Sequence, residues 1–500
     1  MRFIPRRFTS ALPIAALLVA ATGQWGLPAA GAGETRYDGV TINLVTFSGP
    51  PIYEPLQRHA LEWEALTGGH VNIVTYPFSD LYQKQITDAA SGTNSVDMYT
   101  IASGWIGDFA SAGYISDLSG PVPDYPGLEW SDVMPFFRDL VASYGGKIYG
   151  VPFDGDFLMV YYRTDILGAD GVEPPSTWDE YLRIAEMYDG KDLNGDGTPD
   201  YGSCIQKSRG GVGTWQFNGV FTSFTQTEGT SQGAFFGDGM EPLVNNEAMG
   251  AALDFWKASS EFGPPDEVNL DQSTGRGLFQ TGRCALTIDW GDAGVLAIDP
   301  DESLVIDKVG AVVMPGTSKV LDRATGTLVA CDETICPNAI DGVNHAPFAA
   351  FGGWAALINS TADPTVQAAA LDYIAFVTAP EQSNPDVTVG ATGLNPFRQS
   401  QLTYNDLWAA GGMSETAAEL YLGPIEESLQ NPNMALDLRV GQANQYTNVL
   451  EDQAIAQFLA GELTKEEAMQ QMYDAWQNLT DQIGRDQQAA AYAASLNVER

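Results

Sequence analysis

VTINLVTF at residues 40–47 and HVNIVTY at residues 70–76, with a stretch of helical periodicity at 53–66 between them, decide the fold class. The first run alternates and then turns continuously apolar, as a strand buried on both faces does. The second behaves as another strand, and a further helical stretch follows at 79–91. Strand, helix, strand, helix is the grammar of an α/β domain around a parallel sheet, because parallel neighbours need a crossover and a helix supplies it. The grammar returns downstream, with strands expected at 284–289, 309–314 and 355–359 and a helix at 364–378. From Ser414 onward the chain reads as mostly helical, including 448–461 and 464–483, with residues 486–500 as a loosely held tail. Two α/β lobes with a helical C-terminal region is the simplest packing. With no internal repeat and no low-complexity linker, the chain must cross between lobes through short ordered segments.

Composition narrows the partners. The 500 residues are 44% hydrophobic and 11% aromatic, ample for a sizeable core. Lys and Arg number 24 against 64 Asp and Glu, a formal charge of −40, which repels nucleic acid and anionic lipid. The acidity reads as a solubility trait, since it is not gathered into a run.

The first residues read as an export signal, 1–32: Arg2, Arg6 and Arg7 form a basic start, 11–21 an apolar stretch, and Ala30-Gly31-Ala32 a small-residue cleavage site. No apolar run approaches the ~20 residues of a membrane span. A soluble, periplasmic protein is expected, without a lipid anchor because no Cys stands at the cleavage region; the general secretory and twin-arginine routes both stay open. Export favours disulfides. Cys331 and Cys336 are close enough to staple a small loop, and Cys204 and Cys284 lie in short apolar runs that suit neighbouring strands. Zinc is poorly served by His59, His70 and His345, none at ligand spacing from a Cys pair.

Asp192, Asn194, Asp196, Thr198 and Asp200, with Gly197 between, match the start of a calcium loop, and one structural calcium ion is the expectation. Position 12 is Ser203, so the bidentate Glu of an EF-hand is missing, and an Asx-rich turn closed by its own side chains is the plainer alternative. Trp105, Trp215, Trp290 and Trp354 each stand beside Gly, Asp or amide residues in loop-like places. A sugar ring stacks its C–H face on an aromatic plane and offers its hydroxyl rim to carboxylates and amides, so this mixture suits a carbohydrate cleft. Asp154 and Asp156, in VPFDGD, face the same side of an extended segment and read as hydroxyl acceptors before they read as a glycosidase acid and base. HExxH and GxxxxGK[ST] are both missing from the sequence.

Six blocks occur in an order that resembles the family 1 extracellular solute-binding proteins, the maltose-binding-protein-like receptors of ABC sugar importers. They are SVDMY with FASAGYISDL (95–118), GKIYGVP (146–152), YYRTD with PPSTWDE (161–180), LFQTGRCAL (278–286), VGAVVMP (309–315) and GGWAALI (352–358). The resemblance, running from about 40 to 480, implies two α/β lobes of the type II periplasmic-binding-protein fold that close on a ligand by hinge motion. It implies no enzyme activity, a sugar as ligand, permease subunits as partners and a monomeric state. Lobe 1 would be 38–152 plus 311–396, and lobe 2 153–310 plus 397–485. By position in such a fold, Ser48, Trp105, Asp154, Trp215, Trp290, Trp354 and Arg398 lie in or near cleft-lining segments. The chain departs from shorter members in its calcium-like loop, its four cysteines and an insertion at 321–344, which would form a rigid flap at the cleft or on the surface. A secreted carbohydrate hydrolase using Asp154 or Asp156, or a receptor for a polyol, glycerol phosphodiester or organic cation, stand as alternatives.

Overall fold

The computed structural model describes residues 36–391 and 393–498. The export signal at 1–32 lies outside them.

Strand β1 (Thr41–Phe47) pairs in parallel with β2 (His70–Tyr76) and β3 (Met98–Ala102). The crossover between β1 and β2 is helix α1 (Pro50–Thr67), which begins with proline at its first turn and ends on Gly68 in the left-handed conformation (φ 77°). Helix α2 (Phe78–Ser91) makes the next crossover. Strands Trp354–Ile358 and Gly150–Asp154 extend the sheet antiparallel, giving the order β2, β1, β3, Trp354–Ile358, Gly150–Asp154. Helix Pro364–Thr378 covers this sheet beside α1. The core is continuous apolar packing, with Ile42, Leu44, Met98, Ile101 and Leu357 all inaccessible.

A second sheet of four strands, in the order Val309–Val313, Leu158–Arg163, Cys284–Trp290, Tyr201–Ser203, forms the other lobe. Helix Trp178–Tyr188 packs on it, entered through a capping box in which Thr177 and Glu180 exchange backbone hydrogen bonds. The almost wholly buried helix Val212–Thr225 lies alongside helix Glu247–Ser259. Both disulfides form: Cys204–Cys284 joins neighbouring strands across 80 residues, and Cys331–Cys336 closes the small loop.

Three boundaries differ from the sequence reading. Strand Val309–Val313 pairs with Leu158–Arg163, so residues 311–313 belong to the second lobe. The insertion at 321–344 follows it there: hairpin Lys319–Asp322/Thr327–Ala330 packs on helices Val212–Thr225 and Glu247–Ser259, and Asn344 donates to the Ser223 and Gln226 carbonyls. Conversely, Arg398 at the start of the stretch assigned to lobe 2 is bound into the first lobe by carbonyls of Leu128 and Thr378. Of the expected tail at 486–500, the described residues 486–498 are not loose. Helix Arg485–Ser495 wedges Tyr492 against Phe236 and Gly233, Gln488 donates to the Gly441 carbonyl, and Asn497 donates to the Asp139 carbonyl. Its alanines allow a close approach that periodicity alone does not disclose.

Candidate functional site

Between the two sheets lies a cavity of about 350 Å³, near the low end of the ~300–1,000 Å³ usual for ligand sites. Both lobes line it. Phe47 at the end of β1, Phe78 at the start of α2 and Trp354 come from the first; Trp215 and Trp290 come from the second; Phe351 comes from the segment between. The rings brace one another: Phe47 stacks on Trp354 at 5.7 Å, and Trp215 meets Trp290 edge-on at 6.2 Å and Phe351 at 5.3 Å.

The backbone aims these groups by local irregularity. The pairing of Trp354–Ile358 with Gly150–Asp154 shifts register between Trp354 and Ala355, an irregularity at the end of the ladder where Trp354 and Asp154 pair and line the cavity. Gly353 makes the turn possible: its φ is +92°, and a Cβ there would lie 2.3 Å from the Asp154 carbonyl. Trp215 is fixed by its indole N–H, which donates to Asp437 Oδ2 at 2.9 Å; the same oxygen accepts from the Phe351 N–H at 3.2 Å.

The polar wall is acidic. Asp154 accepts from the Asn395 backbone N–H at 2.7 Å, and the Asn395 amide donates to both Asp154 (3.2 Å) and Asp156 (3.0 Å). Asn395 Oδ1 is buried without a protein partner, an acceptor ready for a hydroxyl. Arg276 bridges Asp289 at 2.8 Å and Asp292 at 2.6 Å. Burial pushes the Asp154 carboxyl up to about 7, with Asp292 nearby adding to the effect. Burial and then the neighbouring Asp154 and Asp292 charges push Asp156 well above the carboxylate range. Asp292, raised by burial and relieved by Arg276, stands at about 6. Burial works against the Arg276 charge, but Asp289 and Asp292 outweigh it and hold the guanidinium charged.

Five residues expected from the sequence line the cavity: Asp154, Asp156, Trp215, Trp290 and Trp354. Three do not. Ser48 is exposed, and its N–H donates to the Tyr76 carbonyl; the adjacent Phe47 makes the contact instead. Trp105 sits behind the wall, stacked on Phe78 at 5.5 Å. Arg398 is fully buried in the first lobe, satisfied by the Thr378 and Leu128 carbonyls and Asp132, and does not line the cavity. The sequence reading overlooked Phe47, Phe78, Phe351, Arg276, Asp292 and Asn395. Asp292 follows Trp290 within IDWGD and was the one visible signal.

The Asp192–Asp200 loop lies apart from this cavity. Asp192 accepts from the Gly195 and Gly197 N–H groups, and Asp196 from that of Thr198. Asp200 turns inward: one oxygen takes the Leu193 and Asn194 N–H groups, the other takes Arg283, which also reaches Asp196. Among the described residues no three His, Cys, Asp or Glu side chains are grouped to hold a metal ion. A guanidinium stands where two of these carboxylates point, and the remaining oxygens take backbone amides as in an Asx-rich turn.

A family model of bacterial extracellular solute-binding proteins matches residues 48–384. The chain belongs to this family. Among relatives of this solute-binding protein, the mannitol-binding protein of Pseudomonas aeruginosa is 28% identical over 255 residues, a match covering 50% of this chain and 54% of the relative. The fold is that of a solute-binding protein from Agrobacterium radiobacter in complex with ribitol (TM-score 0.69, 22% identity), covering 88% of this chain and 99% of that one. It also matches a maltose-bound protein of T. maritima (TM-score 0.67, 21% identity), covering 88% of this chain and 100% of that one. In this solute-binding protein the cavity lies where the two sheets face each other, and no described helix is long and apolar enough to cross a membrane.

Proposed function

We propose that this protein is an exported, monomeric receptor that captures a neutral sugar or sugar alcohol between its lobes and delivers it to the permease of an ATP-driven importer. One observation carries the reading: stacking aromatics from both lobes close on a buried group of hydroxyl acceptors, Asp154, Asp156 and Asn395 Oδ1. Carboxylates accept two or more hydrogen bonds each, which suits a ligand rich in O–H donors. The mannitol, ribitol and maltose named for the similar proteins have that chemistry. An anionic ligand would meet the Asp154 and Asp156 carboxyls, and both guanidiniums lining the cavity are already paired, Arg276 with Asp289 and Asp292 and Arg209 with Asp452.

The geometry disfavours a hydrolase. Asp154 and Asp156 share one Asn395 amide on one side of the cavity, whereas a glycosidase pair flanks the bond it cleaves. A cavity whose walls both come from a single chain supports a receptor that works as a monomer. A thermal-shift screen of the mature protein against sugars and alditols tests the reading: one chemical class should raise the melting temperature, with one-to-one stoichiometry and the ligand recovered unchanged. Turnover of an oligosaccharide, or a response confined to anions, would overturn it.

A further inference from the structure

The ligand cavity has a neighbour. A groove of about 630 Å³ shares Phe78 and Gly210 with it, so one residue from each lobe forms a neck between the two spaces. The neck is open on the Gly210 side, where a Cβ would meet nothing within 4 Å. On the first-lobe wall, Tyr82 and Trp105 pack edge to face at 5.2 Å, and the Tyr82 hydroxyl is committed to Asp108 at 2.6 Å. On the second-lobe wall stand Gln442, which precedes helix Ala443–Gln445, Asn444 and Gln445 within it, and Asn448 in the π-turn Tyr446–Glu451 that follows. Asn448 donates to Asn444 at 2.8 Å, which leaves its own Oδ1 buried without a protein partner.

Carboxamides each offer donors and acceptors without charge, and aromatic faces take C–H surface. That pairing recognises a neutral, hydroxyl-rich ring and neither an anion nor a cation. Amide-rich helical segments are often simply solvated. Here the amides look across a groove at an indole that is almost fully buried.

We infer that the transported ligand is a chain of at least two sugar rings, the first in the aromatic and carboxylate cavity, the second in this amide groove, with the glycosidic link passing between Phe78 and Gly210. The inference rests on the sugar reading above and extends it. Because both lobes wall the groove, the second ring also strengthens closure.

Matched ladders test it: glucose, maltose and maltotriose; N-acetylglucosamine with its dimer and trimer; and mannitol and ribitol as open chains. Each is titrated calorimetrically into wild type, Asn448→Leu and Gln445→Ala, the second variant serving if the first melts early. In one ladder the dimer should bind about tenfold or more tighter than the monomer. The variants should erase most of that gain while leaving monomer affinity within about twofold. A monomer or alditol that binds without gain on lengthening, or a gain that survives in both variants, overturns the two-ring inference and leaves the receptor reading standing. Silence of folded protein toward every monomer, oligomer and alditol overturns both.

Discussion

Replacing Asp154 by Asn should make the ligand-free protein more stable at pH 8 and leave it unchanged near pH 4. Asp154 is 3% exposed, and burial raises its carboxyl from 3.8 to about 7. The folded chain therefore holds that proton when the unfolded chain has released it. The stabilisation this represents is full below the unfolded value and is lost as pH rises through about 7. The shift of roughly three units, at 1.36 kcal/mol each, sets an upper bound of about 4 kcal/mol. Asparagine is neutral throughout and keeps an Oδ1 acceptor for the Asn395 N–H. The variant should thus escape the loss, and its unfolding free energy should exceed that of wild type at pH 8 by up to about 4 kcal/mol, several degrees of melting temperature. Urea unfolding of both proteins from pH 4 to 8.5, without ligand, measures the difference. Other buried acids, such as Asp437 at about 6, cancel in the comparison. A gap of the same size at every pH, or a variant less stable at pH 8, would refute the electrostatic account. Ligand affinity should move the opposite way and fall, as expected when a site is built at the expense of stability.

Three further outcomes follow from particular contacts. Trp290→Leu removes an indole that forms a wall of the cavity and braces Trp215, and should weaken ligand binding by about a hundredfold, read by calorimetry, while far-UV dichroism stays unchanged. Cys204→Ser opens a closure of 80 residues, so chain entropy predicts a loss of about 4.5 kcal/mol and a clear drop in melting temperature; Cys331→Ser, closing only five, should cost about half as much or less. Calcium and chelator should leave the melting temperature of the wild type unchanged, because Arg283 already neutralises Asp196 and Asp200; a chelator-induced drop would reinstate a bound cation.

The lobes were legible because burial on both faces writes itself into the sequence as continuous apolar runs, as in the strand ending at Phe47 and in GGWAALI. Tryptophans next to Gly and Asp were legible for a similar reason: bulk placed where the backbone bends signals a surface that packs against something else. Phe47 and Phe78 escaped notice because a phenylalanine at the end of a strand or the start of a helix looks like any core residue. Arg276 escaped because its partners Asp289 and Asp292 become neighbours only when helix Gln272–Gln280 folds back on strand Cys284–Trp290. Arg398 misled by position: a lone cation near the cleft reads as a ligand contact, but a guanidinium with several donors serves equally well to cap the carbonyls at 128–129 and 378. The calcium-like motif carries two readings by its spacing, since the same alternation that points oxygens at a cation points them at backbone amides.

The raised carboxylates also bear on how ligand drives closure. Asp154 and Asp156 lie on the crossing from the first sheet to the second, Asp292 on the second lobe, and Phe47, Phe78 and Trp354 on the first. Bringing the lobes together without ligand places apolar rings over ionised carboxylates that have given up water, which is unfavourable. Ligand hydroxyls return the lost hydrogen bonds only in the closed form, so under the receptor reading the ligand's differential affinity is concentrated in that form. Neutralising the carboxylates should then loosen the requirement for ligand. Small-angle scattering of the ligand-free protein should show a smaller radius of gyration at pH 5.5 than at pH 8, and Asp154→Asn should remain compact at pH 8. A ligand-free radius that is the same at both pH values and in the variant would separate closure from the carboxylates and leave the aromatic contacts to account for it.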